Sequence, residues 1–351
     1  MLAISRQRSM VSRRGGMMTD TGLTKARSMG PIAQAVQRAG GSMSRLLRKA
    51  ELPPALLERP EVLIPLRDQL RVLELATRET GDDALPARLS LEGGIEQLGA
   101  LGQYVARAPT LALAINRCNE QMHTLLQSAT CLQLSTTRRL TRWTYTIQDS
   151  APVGRQKNEV LALGYMMNVL RKYFGVSASV IHAELPGARI SGHSAIQQLF
   201  GCEITRERIA ALVFPTDCLQ ATNIRLPTPR EPPSTRGDSP LPEPSDLLAQ
   251  VECMIMLGLL QNRPREDWLC RRLGLSRRSL QRSLASRDTS FQKILQRHLL
   301  SEAARRLESE PTPITEIALD LGYSDPAHFT RAFVRMFRES HQAWRRRLQE
   351  S

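Results

Sequence analysis

The sequence predicts an α+β N-terminal domain followed by an all-α C-terminal domain with two helix-turn-helix motifs joined by a linker helix. Three observations predict it. One short pattern occurs twice near the C-terminus, with its glycines, Gly274 and Gly322, 48 residues apart. From 227 to 244, seven of eighteen residues are proline, a composition that favours an extended tether over a core. Before that tether, a run of helical periodicities is followed by the strand-like runs of a mixed sheet, which gives an α+β domain.

In chain order, residues 1–30 are rich in Arg, Ser, Gly and Met and lack helical periodicity, which marks a disordered basic tail. They lack the continuous apolar core of a signal peptide, and Met17, Met18 and Met29 leave an over-extended start open. Residues 31–226 make the first domain. Helices are expected over 31–50, from Ile64-Pro65-Leu66-Arg67 to Thr80, over 95–106 and over 111–127. The segments 131–135 and 142–147 alternate enough for two strands joined around Arg138-Arg139-Leu140. A long apolar helix over 159–174 follows, then a strand over 178–185, a short helix over 194–200 and a strand over 211–214. Asp82, Asp83 and Glu92 read as loop or helix-cap residues. Residues 227–244 are the tether.

Residues 245–351 hold the repeat. The first copy reads Leu269-Cys270-Arg271-Arg272-Leu273-Gly274-Leu275-Ser276, then Leu280, Arg282 and Leu284. The second reads Ile317-Ala318-Leu319-Asp320-Leu321-Gly322-Tyr323-Ser324, then Phe329, Arg331 and Phe333. Each is a helix, a tight turn at a glycine that takes φ > 0 without penalty, and a second helix. Ser276 suits the N-cap of the first second helix. Asp325 suits that of the other, with Pro326 at the first helical position.

Helical spacing puts Leu280 and Leu284 on one inward face, and Phe329 and Phe333 on another. Arg277, Arg278, Gln281 and Arg282 then point outward in the first unit. Ala327, Thr330, Arg331 and Arg335 do so in the second, and His328, aligned with Ser279, completes the candidate set. Arg, Gln and Thr suit base edges and phosphates. A solvated helix face is the rival reading for any one of them, but two matched units point to double-stranded DNA. Residues 291–307 read as an amphipathic spacer about 25 Å long at 1.5 Å per residue. With its flanking turns it is compatible with reading helices one DNA turn, roughly 34 Å, apart.

Charge agrees with this division. The formal net charge is +14, with +9 on residues 1–50, zero on 51–244 and +5 on 245–351. A neutral middle suits a small-molecule sensor, and a basic C-terminal part suits a polyanion. The six cysteines form no Cys-x-x-Cys pair and none sits beside a His at zinc spacing. Reduced thiols are expected, with Cys270 a small buried residue in the place of Ala318. No metal, no cofactor and no enzymatic activity is expected, because no phosphate loop, nucleophile elbow or metal pair stands out. No apolar run approaches the roughly 18 residues of a membrane span, so a cytoplasmic protein is expected.

Residues 245–348 resemble the DNA-binding domain of the AraC/XylS transcriptional regulators, above all over the stretch from Ile314 to Phe333 just quoted in part. The family usually has Phe-Gly and then a Pro before an aromatic and an Arg. Here Phe337-Arg338-Glu339-Ser340-His341-Gln342-Ala343-Trp344-Arg345 keeps the aromatic and the Arg but loses the Gly and Pro. Residues 40–226 resemble the larger sensor domain of AraC regulators akin to the ornithine-responsive and virulence regulators. The resemblance is carried by Leu46-Leu47, Leu63-Ile64-Pro65-Leu66, Ala108-Pro109-Thr110-Leu111, Phe200-Gly201-Cys202 and Leu212-Val213-Phe214-Pro215.

The resemblance implies ligand-dependent control of transcription. The expected protein is a homodimeric activator that binds promoter DNA and RNA polymerase and takes a small effector in its N-terminal domain. The effector pocket is expected where the helix 159–174 covers the sheet. Met166, Met167 and Tyr173 are candidates to line it, against the plainer reading of an ordinary core. The alternative is a constitutive DNA-binding regulator whose N-terminal domain only dimerises or contacts a protein partner.

Overall fold

The computed structural model describes residues 22–148, 153–175, 180–223, 240–261, 264–309, 312–323 and 325–349. The N-terminal domain opens on β1 (Leu23–Lys25), which pairs antiparallel with β2 (Leu63–Pro65). A 3-10 turn leads into α1 (Met29–Arg38). Residues 22–30 therefore belong to the fold and not to the expected tail, of which residues 1–21 lie outside the described residues. Leu23, Ala26 and Met29 are all buried. Three apolar residues at this spacing are too few for periodicity to register, yet enough to anchor the segment.

The expected helix over 31–50 is two helices, α1 and α2 (Met43–Lys49), separated where Gly40 takes φ +75°. α3 (Leu66–Thr80) starts two residues later than the sequence suggests, because Ile64 and Pro65 belong to β2. α4 (Leu85–Gly93) was not anticipated. Its start is held by Asp82, whose carboxylate accepts from the Ala84 backbone N–H at 3.0 Å and pairs with Arg88 at 3.0 Å. Gly99 divides the expected helix over 95–106 into a 3-10 turn and α5 (Ala100–Ala106). α6 (Leu111–Leu125) is capped by the Thr110 hydroxyl.

β3 (Thr130–Thr136) and β4 (Leu140–Ile147) form the expected hairpin, closed by the Thr137 N–H to the Leu140 carbonyl at 2.8 Å. α7 (Arg155–Phe174) follows, then β5 (His182–Leu185), α8 (His193–Phe200), β6 (Glu203–Arg206) and β7 (Ala210–Pro215). β6 had no alternating signature and was not anticipated. The strands order as β3-β4-β7-β5-β6, antiparallel throughout except for the parallel pair β5–β6. α7 packs on this mixed sheet with Leu163, Met167 and Leu170 buried.

The C-terminal domain comprises α9 (Leu247–Leu259), α10 (Glu266–Leu273), α11 (Arg277–Ala285), α12 (Phe291–Ser309), α13 (Ile314–Asp320), α14 (Pro326–Phe337) and α15 (His341–Gln349). Most of the proline-rich tether lies outside the described residues. Its last part is not free: Leu241 is buried, and its N–H donates to the Thr124 carbonyl at 2.7 Å.

In the structure the two domains pack against each other. One continuous apolar cluster runs from Met29, Ile32 and Leu46 to Val251, Met254 and Leu269. At its edge the Arg272 guanidinium, on α10, donates to the Asp68 carboxylate on α3 and to the Glu51 carbonyl. The physical reason is that α9 is apolar on more than one face, and β2 lies against it.

The lost glycine after α14 also has a structural answer. Arg338 itself takes the left-handed conformation, φ +61°, and closes the helix with its N–H on the Val334 carbonyl at 2.9 Å. Non-glycine residues pay roughly 1–2 kcal/mol there. Arg338→Gly is expected to stabilise the protein by up to about 1 kcal/mol, since glycine's looser unfolded state offsets part of the relief. Chemical denaturation of the two proteins side by side checks this, and a destabilised variant contradicts it.

Candidate nucleic-acid interface

Both repeat units close their turns with the same hydrogen bond. Gly274 takes φ +65° and Gly322 φ +76°. In the first unit the Leu275 N–H donates to the Cys270 carbonyl at 2.9 Å, and in the second the Tyr323 N–H donates to the Ala318 carbonyl at 2.9 Å. This bond, from the N–H five residues on, closes a helix around a left-handed residue and sets the angle at which the chain leaves. The Ser276 hydroxyl then accepts from the Ser279 N–H at 3.1 Å, and Asp325 accepts from the Ala327 N–H at 2.8 Å with Pro326 in the first helical position. Both caps stand where the sequence puts them.

The inward faces differ in chemistry. Leu280 and Leu284 bury α11. α14 is held by a run of rings: Tyr323 meets Phe329 edge-on at 5.1 Å, Phe329 meets Phe333 at 5.8 Å, and Phe337 meets Trp344 of α15 at 4.7 Å. Aromatic contacts of this kind add to the area they bury and fix orientation. Cys270 and Ala318, at matching places in the repeat, are both buried.

The outward faces carry the candidate residues. Arg277, Arg278, Gln281 and Arg282 are exposed on α11, and Ala327, His328, Arg331 and Arg335 are exposed on α14. Thr330 departs from the expected outward placement. It is half-buried, and its hydroxyl donates to the Pro326 carbonyl of its own helix at 3.0 Å. The His328 ring leans on Tyr323, centroids 5.9 Å apart.

α10 supplies acidic partners that the sequence did not disclose. Arg277 pairs with Asp267 at 3.1 Å and lies 3.8 Å from Glu266, which also accepts from the Gln281 amide at 3.0 Å. Arg331 lies 3.8 Å from the cap Asp325. Among the described residues, Arg278, Arg282 and Arg335 have no carboxylate partner within ion-pair distance. They are the cations best placed to meet an external anion.

Arg272 is the functional-looking residue that sequence reasoning missed. It stands three residues after Leu269 and one before Leu273, inside the inward stripe of α10, and an Arg in that stripe is itself a signal that a buried acid waits for it. Its guanidinium also stacks on Trp268, 4.9 Å from the ring centre.

In the N-terminal domain a cavity opens between α7 and the sheet. Met166 lines it. Met167 and Tyr173 do not: Met167 is wholly buried, and the Tyr173 hydroxyl donates to the Ala108 carbonyl at 2.8 Å. Burial pushes the thiols of Cys118 and Cys253 up to about 12, so both stay protonated and unreactive at neutral pH.

Near this cavity Glu159 is buried, and burial pushes its carboxyl up to about 7 although Arg155 pulls the other way. A carboxyl raised in the fold favours the folded state below its ordinary value near 4.5, and that contribution is lost as pH rises through about 7. Stability is therefore expected to fall between about pH 5 and pH 8. Glu159→Gln should flatten the decline and stabilise at pH 8 by up to roughly 3 kcal/mol. Thermal unfolding across that range checks it, and an unchanged slope in the variant refutes it.

Comparison with known proteins agrees with the geometry. Residues 40–223 match the family model of the arabinose-binding domain of AraC transcription regulators, N-terminal, and residues 269–347 match a helix-turn-helix domain. The regulator VirS of Mycobacterium tuberculosis is 21% identical over 326 residues, covering 90% of this chain and 94% of that protein. The regulator GlxA of Rhizobium meliloti is 39% identical over 80 residues, covering 22% of this chain and 25% of that protein. A crystal structure of the transcriptional regulator CdpR from Pseudomonas aeruginosa covers 91% of this chain and 98% of that chain, at 17% identity and a TM-score of 0.41. No described helix is long and apolar enough to cross a membrane. With an arabinose-binding-type N-terminal domain followed by paired helix-turn-helix units, the chain belongs to the AraC family of DNA-binding transcription regulators.

Proposed function

We propose that the chain is a cytoplasmic, homodimeric activator that reads promoter DNA through α11 and α14 and is controlled by a small effector held in the N-terminal domain. The observation that carries the reading is the pair of like glycine turns that lead into two separately capped helices, α11 and α14, with exposed cationic faces. Arg278 and Arg282 supply one face, and Arg331 and Arg335 the other. Arg277 and Gln281 join once DNA competes with Glu266 and Asp267, and Ala327, His328 and Thr330 frame the second contact. Effector binding shifts the balance between two arrangements of the dimer, one of which engages RNA polymerase. An effector does this only if it binds one arrangement better than the other.

The test is base reading. Arg282→Ala and Arg331→Ala should each weaken operator binding by roughly 1–3 kcal/mol and relax the preference at one base pair, if the Arg is bidentate to a guanine. Equal weakening on every sequence makes the residue a phosphate contact. Unchanged binding by both variants removes the assignment of the reading faces.

A further inference from the structure

The cavity between α7 and the sheet contains a closed ring of four neutral polar side chains drawn from distant parts of the chain. The Gln127 amide donates to Gln69 Oε1 at 3.3 Å, and the Gln69 amide donates to Asn158 Oδ1 at 3.3 Å. The Asn158 amide donates to the Tyr145 hydroxyl at 2.9 Å, and that hydroxyl donates back to Gln127 Oε1 at 2.9 Å. All four residues are buried, and all four line the cavity. Four uncharged polar groups placed together in a core are costly unless their bonds are made, and here they are made to each other.

The ring is not saturated. A primary amide has two N–H donors, and an amide oxygen has two lone pairs. Each of the three amides commits one donor and one acceptor to the ring, so each keeps one of both for a further partner. Beyond the ring the wall is apolar, with Ile95, Leu101, Leu132, Trp143, Met166 and Val169. The free volume is about 70 Å³, several times the roughly 10–15 Å³ one water requires by the same measure. Leu161, Ala162 and Tyr165 of α7 also line the cavity and are half-buried.

Charge is kept out. Among the described lining residues the charged side chain is Arg27, whose guanidinium already donates to Glu61. Burial pushes the Tyr165 phenol up to about 12 and raises Tyr145 as well, so neither offers an anion to a cationic guest at neutral pH. A charged guest would lose its hydration to an apolar wall without a counter-ion. A polyhydroxylated one would leave most of its hydroxyls facing carbon.

We propose that this cavity binds a small uncharged molecule with an apolar body and a single hydroxyl, carbonyl or amide head, and that Gln69, Gln127, Tyr145 and Asn158 bind that head. The inference rests on the reading of the N-terminal domain as effector-binding, and it names the site and the class. Its placement also connects the two domains. Gln69 and Asp68 are neighbours on α3, and Asp68 is the residue that Arg272 of α10 grips.

The test uses the full-length protein and probes that share a chain but differ in the head: hexanamide and 1-hexanol, against hexanoate and hexylammonium, with arabinose as the polyol. Titration calorimetry should show saturable binding of both neutral probes with dissociation constants near the millimolar range, as expected for about eight non-hydrogen atoms. The two charged probes and arabinose should bind at least about tenfold more weakly. Tyr145→Phe opens the ring and should weaken hexanamide several-fold. Ala162→Trp fills the space from its half-buried side and should abolish binding, with circular dichroism and thermal unfolding confirming that each variant folds. Equal affinity for hexanoate, hexylammonium or arabinose overturns the proposal. So does binding of hexanamide that survives Ala162→Trp, or no saturable binding of either neutral probe up to about 10 mM. Promoter binding by the same samples without probe keeps the two readings apart. Protein that binds promoter but neither neutral probe overturns the site alone. Protein that binds the probes but no promoter supports the site and overturns the regulator reading.

Discussion

Arg272→Ala is expected to cost the folded protein about 3–5 kcal/mol, the usual penalty for removing one partner of a buried ion pair. Both side chains of the pair are nearly out of solvent, 8% exposed for Arg272 and 10% for Asp68. Burial pushes the Asp68 carboxyl up to about 6, with the Arg272 charge drawing it down. At neutral pH the wild-type carboxyl is ionised and paired. Its raised value means that its contribution favours folding below the ordinary value near 3.8 and is lost as pH rises through about 6. Without Arg272 the folded carboxyl titrates higher still, so the loss in the variant should grow from pH 5 to about pH 8. The Asp68→Leu, Arg272→Met double variant should recover much of the stability, because apolar residues of similar volume often replace a buried pair without loss. Urea denaturation at both pH values, followed by circular dichroism, measures all three proteins. A single variant that loses less than about 1 kcal/mol would show that the pair does not hold the domains together.

Promoter affinity should fall about 10³–10⁵-fold between roughly 50 and 200 mM salt if six to ten phosphates are neutralised. The proposed reading faces offer Arg278, Arg282 and Arg335 without a carboxylate partner among the described residues, and Arg277 and Arg331, themselves exposed, with one. The domain's charge of +5 adds the long-range part. Glu266 and Asp267 modify the expectation in a specific way. DNA must displace them from Arg277, so Asp267→Asn should raise affinity at low salt. Filter binding or fluorescence anisotropy over a salt series gives the slope of log affinity against log salt. A flat slope contradicts DNA binding as the main activity, and a slope smaller by about 1 in Arg282→Ala identifies that residue as a phosphate contact.

The comparison of sequence with structure divides along the range of the interactions involved. The sequence by itself determined the two helix-turn-helix units, including both caps, both glycine turns and the inward pairs Leu280/Leu284 and Phe329/Phe333. Each of those signals lies within a few residues of its partner, where spacing along the chain and spacing in the helix are the same thing. It also determined the β3–β4 hairpin and the long helix over the sheet, for the same reason. Tertiary structure alone decided the rest. The segment Leu23–Lys25 is a strand only because Leu63–Pro65 is there to pair with it. Arg272 meets Asp68 across 204 residues of chain, and the ring of Gln69, Gln127, Tyr145 and Asn158 joins partners 13 to 89 apart. No local periodicity encodes such pairs, because a buried polar side chain reads as polar until the fold supplies the group that satisfies it.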